Sequence, residues 1–162
     1  MDVRLFSPDD EVALQSLLAS HPVYTERITG YPPGPSDALS LLISRPESVA
    51  EADKIVVGGW EGGNLVGVID IIRGYPDAAR AFIGLLLVAP SARRRGFGSE
   101  LLGWVQRSCK TCDRVRVALI DSVPDAAGFW EHHGFRPTGE TRPWRYGPVE
   151  SVSRIYERSL PL

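Results

Sequence analysis

The chain has 162 residues, a formal net charge of -2, and 43% hydrophobic and 23% charged residues, the balance of an ordinary globular protein and not of a disordered one. That length predicts one domain around a single core. The near-neutral charge leaves no broad basic face for nucleic acid, and no run of about 18 apolar residues offers a membrane span.

Val3-Arg-Leu-Phe6 predicts a short first strand. Ser7-Pro-Asp-Asp10 starts a helix, with Ser7 at the N-cap, proline at the first helical position and an acid at the third. Leu14, Leu17 and Leu18 supply its buried stripe. His21 to Pro35, HPVYTERITGYPPGP, is rich in proline, glycine and tyrosine and reads as a long loop of the kind that builds binding sites. Ala38 to Ser44 predicts a second helix, closed by Pro46.

Lys54 to Trp60 and Leu65 to Arg73 predict two strands joined by the turn Glu61-Gly-Gly-Asn64. Ala81 to Val88 contains no polar side chain, as expected of a strand covered on both faces. A helix follows from about Gly98 to Cys109, with Leu101, Leu102 and Val105 at core spacing, and Arg114 to Ile120 alternates as a strand. Ser122-Val-Pro-Asp125 opens another helix, which Gly134 closes as a left-handed cap. Two strands near Arg136 to Thr141 and Val152 to Arg158 finish a layered α/β or α+β domain.

The first ten residues have neither a basic start nor an apolar core, so the expected location is the cytoplasm. Cys109-Lys-Thr-Cys112 would need two more ligands to hold zinc. The nearby His132 and His133 point about 100° apart on a helix and suit a shared site poorly. No metal is expected. The cysteines read as two thiols at a helix end in a reducing compartment, and the two histidines as solvent-facing or packed.

Ser91 to Leu102, SARRRGFGSELL, sets Arg93, Arg94 and Arg95 against Gly96 and Gly98, between an apolar strand and a helix. Free amides at the helix start, the helix dipole and bare glycine backbone together favour a phosphate or pyrophosphate guest. A Walker loop would need Gly-Lys-Ser/Thr, which is missing, and a Rossmann fingerprint would need a third glycine near the first strand.

The longer stretch Val88-Ala-Pro90-Ser-Ala-Arg93-Arg-Arg-Gly96-Phe-Gly98 resembles the acetyl-CoA signature of the GNAT superfamily of N-acetyltransferases. Ala126-Ala-Gly-Phe-Trp-Glu-His-His-Gly-Phe135 resembles that family's second signature, and the likeness spans roughly residues 3 to 158. The resemblance implies an α/β (α+β) fold with a mixed, mostly antiparallel seven-stranded sheet, about four flanking helices, and splayed parallel strands 4 and 5. It implies acetyl-CoA as co-substrate, with the pantetheine arm along Leu86, Leu87 and Val88. The pyrophosphate would lie on the backbone of Arg93, Arg94, Arg95, Gly96, Phe97 and Gly98, with Ser99 and Trp130 beside the cofactor. The acetyl group would pass directly to a bound amine. A monomer or homodimer is expected, without nucleic acid or membrane as partner.

Two positions depart from the pattern. Val123 stands where the family often has asparagine, and Trp130 where it often has the tyrosine that protonates the leaving thiolate. An indole N–H is no acid at neutral pH, so a water or the helix end would have to stabilise the thiolate. Asp70, a lone carboxylate in Val66-Gly-Val-Ile-Asp-Ile-Ile72, is the candidate general base because desolvation would raise its pKa. A buried, paired acid is the competing reading. Glu26 and Tyr31, with His21 and Tyr24, are candidates for the acceptor pocket, and Trp144-Arg-Tyr146 would line it or cap the core. An enzyme is the leading expectation, and a non-catalytic acyl-CoA sensor on the same fold is its rival.

Overall fold

The computed structural model describes all 162 residues. Seven strands form one sheet in the order β1-β2-β3-β4-β5-β7-β6. They are β1 (Asp2–Leu5), β2 (Lys54–Glu61), β3 (Asn64–Arg73), β4 (Arg80–Val88), β5 (Arg114–Ile120), β6 (Arg136–Tyr146) and β7 (Val149–Ser159). Only β4 and β5 pair in parallel. Six helical segments flank the sheet: α1 (Glu11–Ala19), α2 (Pro22–Thr29), α3 (Asp37–Ile43), α4 (Phe97–Leu102), α5 (Trp104–Ser108) and α6 (Ala127–His132). Gly103 alone separates α4 from α5. No helix is long and apolar enough to cross a membrane.

The first correction is α2, where a loop was expected. Its prolines and glycine mark helix boundaries. Pro22 occupies the first turn, where its missing N–H costs nothing. Gly30, at φ 77°, caps the other end in the left-handed conformation. Tertiary bonds complete the helix, as the Trp144 indole Nε1 donates to the Ile28 carbonyl at 2.8 Å.

The apolar β4 is covered on both faces. Ile69, Ile71, Ile83, Val115 and Val117 pack with Leu101, Leu102 and Val105 on one side. Val56, Val68 and Leu87 pack with Leu14, Leu17 and Ala38 on the other. Each of the valine, leucine and isoleucine side chains contributes about 1.5–3 kcal/mol on burial, so β3 and β4 form a rigid base for whatever the end of β4 carries.

That end is free. The parallel pairing runs from Arg80↔Arg114 to Ile83↔Val117 and stops, although both strands continue. Two features separate the closed end from the open one. At the closed end, Arg114 and Arg116 bond the Glu157 carboxylate, Arg116 Nε at 2.5 Å, while Arg80 Nε lies 3.4 Å away. Burial works against that charge, and the two arginines overcome it to hold the Glu157 carboxyl below its usual range. At the open end, Ile71 faces Ile83 and Asp70 faces Leu85, leaving Gly84 as an extra residue. Such a bulge bends its strand, here β4 at the point where it leaves β5.

The cysteine reading is also corrected. Cys109 and Cys112 are joined as a disulfide, with Cα atoms 5.4 Å apart. The chain doubles back from α5 toward β5, which brings both side chains into the same buried corner.

Candidate active site

A cleft of about 790 Å³ opens beside the end of β4. One wall is the loop that enters α4. Arg94 there has φ 62° and Gly96 φ 82°, so the backbone curls in the left-handed region before the helix begins. Gly96, Phe97, Gly98 and Ser99 all line the cleft, and the first amides of a helix have no partners within it. Gly98 has a second reason to lack a side chain. A Cβ there would lie 3.1 Å from Phe129 Cε2 and 3.3 Å from its Cζ, so the turn packs against α6 as well as facing the cleft.

Arg93 and Arg94 line the cleft, but Arg95 does not. Its guanidinium makes a two-pronged bond to Glu61 at 2.9 and 2.8 Å and stacks over Phe97. The three adjacent arginines are therefore two and one, divided because the β2–β3 turn brings a carboxylate within reach of the third.

From β4, Leu86, Leu87 and Val88 line the cleft. The opposite wall comes from α6 and the turn before it. His132 and His133 belong to this wall, His132 exposed to solvent and His133 packed on Phe129. His133 Nε2 lies 3.1 Å from Ser99 Oγ, its ring packs tilted on Phe129 with centroids 4.5 Å apart, and burial pushes its pKa down, helped by His132 and Arg158. The i, i+4 spacing of Phe129 and His133 was the available signal for a shared face.

Where β4 and β5 part, the cleft leads into an apolar wedge of about 80 Å³. Gly84, Leu85 and Leu86 of β4 form one side and Val117 to Ile120 of β5 the other, with Tyr24 and Ile28 of α2 across the opening. Trp130 lines this wedge and not the cleft.

Asp70 lies in neither wall. Its Oδ2 accepts from Lys54 Nζ at 2.9 Å, with both side chains buried, and its Oδ1 is buried without a partner. Burial raises its pKa, while the Lys54 charge and hydrogen bond act against that. The carboxylate nevertheless sits directly behind the wedge. A Cβ on Gly84 would fall 2.5 Å from Asp70 Oδ2, so only the bare backbone of the bulge separates the two.

Glu26 lies on the exposed side of α2, and Tyr31, 54% exposed, rests against the Gly147 turn. The structure brings neither to the cleft or the wedge. His21 and Tyr24 do line the cleft. His21 is buried, with Nε2 at 2.9 Å from the Val88 carbonyl and Nδ1 at 3.0 Å from that of Leu17, which ties α1 and α2 to the end of β4. A shallower trough of about 430 Å³ on the β6–β7 hairpin is bordered by exposed Arg142, Arg145 and Glu150. No group of three or more His, Cys, Asp or Glu side chains is placed to hold a metal ion.

The only parallel pair of the sheet thus splays at a bulge, beside a glycine–arginine turn into a helix. The sequence matches the Acetyltransferase (GNAT) family over residues 19–135, and the chain belongs to that family. Solved structures agree on the fold. An acetyltransferase from Thermus thermophilus superposes with a TM-score of 0.76 at 22% identity, covering 99% of this chain and 98% of that one. A GNAT-family acetyltransferase from Staphylococcus aureus Mu50 gives 0.72 at 19%, covering 99% of each. The ribosomal-protein-S18-alanine N-acetyltransferase of Escherichia coli gives 0.68 at 14%, covering 99% and 94%. Comparison with curated protein sequences gives no match. Family membership makes the protein an acyl-transferring enzyme, the leading of the two expectations.

Proposed function

We propose that the protein is an acetyl-CoA-dependent N-acetyltransferase that works as a single domain and passes acetyl directly from the thioester to a bound amine. The observation that carries this reading is the continuity of the cleft with the wedge: Tyr24, Leu86, Val123 and Ala126 line both. A cofactor with a charged end and a long thin arm fits that path. Its phosphates meet Arg93, Arg94 and the start of α4, and its arm meets the edge of β4 beyond Ile83, which β5 has left free. Asp70, behind the bulge, serves as the base that deprotonates the ammonium of the acceptor through a water at the bare Gly84 backbone. The cytoplasm supplies acetyl-CoA in this reading.

Free thiol release from acetyl-CoA in the presence of an amino acid, an aliphatic diamine, an amino sugar and a peptide with a free N-terminus tests the activity. Thiol release matched by acetylated amine supports the reading, whereas failure to bind acetyl-CoA in a calorimetric titration overturns it.

The division among the arginines gives a sharper expectation. Affinity for acetyl-CoA falls with added salt, because exposed charges are screened over about 10 Å at 0.1 M. Arg93→Ala and Arg94→Ala each flatten that salt dependence, and Arg95→Ala leaves it unchanged, since Arg95 is held by Glu61. Equal flattening by all three, in titrations at low and high salt, would show that the Glu61 pair opens when cofactor binds.

A further inference from the structure

We propose that the hydroxyl of Tyr24 is the proton donor to the departing thiolate, filling from α2 the role that Trp130 leaves empty on α6. The inference rests on the cofactor reading above. An arm that runs from cleft to wedge must carry its sulfur past the four residues common to both cavities. Of Tyr24, Leu86, Val123 and Ala126, only Tyr24 bears an ionisable proton. Trp130 reaches the wedge too, but its ring packs edge-on against Phe129 and Phe135, each at 5.1 Å, and its N–H does not ionise near neutrality.

The placement of Tyr24 is built, not incidental. Its ring packs against the buried cluster of Leu14, Leu17, Val68 and Leu87. The helix that carries it is tied down at three points: His21 to the Val88 carbonyl, the Ile28 carbonyl to Trp144, and Arg27 to Asp125 across the mouth of the cleft at 3.3 Å. These ties come from β4, β6 and the turn before α6, so the helix that carries Tyr24 is fixed beside the wedge.

Other charged or titratable groups facing the cleft are engaged or remote from the junction. His21 spans two carbonyls, Arg27 holds Asp125, and His133 meets Ser99. Arg93, Arg94 and His132 line the cleft but not the wedge. Burial pushes the Tyr24 phenol above its ordinary range, so it stays protonated, and able to donate, through neutral and moderately alkaline pH.

The step balances. The neutral amine attacks the thioester carbonyl carbon, and the C–S bond breaks with its electron pair passing to sulfur. The Tyr24 proton moves to that sulfur and gives the free thiol. The nitrogen sheds one proton as the amide forms, and that proton returns Tyr24 to its neutral state. Thioester and amine become amide and thiol, with no proton left over.

The test needs no acceptor, because coenzyme A itself serves as the probe. A donor at the sulfur stabilises the bound thiolate, so the thiol of bound coenzyme A should ionise at lower pH on the native protein than on Tyr24→Phe. The expected difference is about one pH unit, read from thiolate absorbance. Phenylalanine keeps the ring packing, and affinity for coenzyme A, measured by calorimetry, should stay within about twofold. With the fastest amine of the panel, kcat should fall at least about 100-fold with KM for acetyl-CoA unchanged. Equal thiol ionisation on two proteins that both bind coenzyme A overturns the role of Tyr24 and leaves the cofactor site standing. Absence of binding to the native protein overturns both.

Discussion

Gly98→Val is expected to weaken acetyl-CoA binding well beyond tenfold, a loss above about 1.4 kcal/mol. Its Cβ would already press on the Phe129 ring at 3.1 Å, so that the ring must give way slightly, and the two γ-carbons deepen the contact into a clash. Phe129 cannot yield freely, since its ring packs tilted on His133 at 4.5 Å and meets Trp130 edge-on at 5.1 Å. The strain therefore moves the α6 wall of the cleft, while the valine side chain crowds the backbone where the phosphates are proposed to lie. Calorimetric titration measures the affinity, and thermal melting confirms that the variant is folded. Adding Phe129→Ala should recover stability without recovering affinity. A folded Gly98→Val protein with native affinity would remove this turn from the cofactor site.

Asp70→Asn is expected to lower kcat by about 10²–10⁴-fold, the range of a lost general base, with acetyl-CoA affinity within about twofold of native. The same change leaves the buried Lys54 ammonium without its partner at 2.9 Å, a loss of about 3–5 kcal/mol for a broken buried pair. Lys54→Met with Asp70→Asn separates the two effects, since removing both charges should restore stability and leave turnover low. The pH dependence has a definite sign. Burial raises the Asp70 pKa in the folded protein against the opposition of Lys54, so the fold favours the protonated acid. Its stability contribution is full below the unfolded value and fades as pH rises through the folded one. Turnover moves the opposite way, rising over that interval as the base becomes available. Native turnover in Asp70→Asn would return the residue to a purely structural pair with Lys54.

Much of the architecture was legible in short stretches of chain because the rules behind it are local. The proline-started turns at Pro8 and Pro124, the apolar run of β4 and the bare turn at Gly96 each depend on a few consecutive residues. The motif pair that places the glycine–arginine turn and α6 is local as well. Even so, local composition misled at α2. Proline and glycine break a helix in its interior but favour its ends, and here Pro22 and Gly30 bound a helix whose backbone bonds run from Thr25 N to His21 O through Gly30 N to Glu26 O.

What the tertiary structure decided is partnership. Nothing near Arg95 in the sequence announces Glu61, nothing near Asp70 announces Lys54, and Gly98 gives no hint of Phe129. Tyr24 was one aromatic residue among several until α2 was laid across the parting of β4 and β5. Helix caps and hydrophobic periods are set by neighbours along the chain, over distances of a turn or a strand. The surroundings of a charge or a phenol are set by which strands lie side by side and where they separate. In this protein that choice rests on one bulge at Gly84 and one buried carboxylate at Glu157, where contacts between residues far apart in the chain converge.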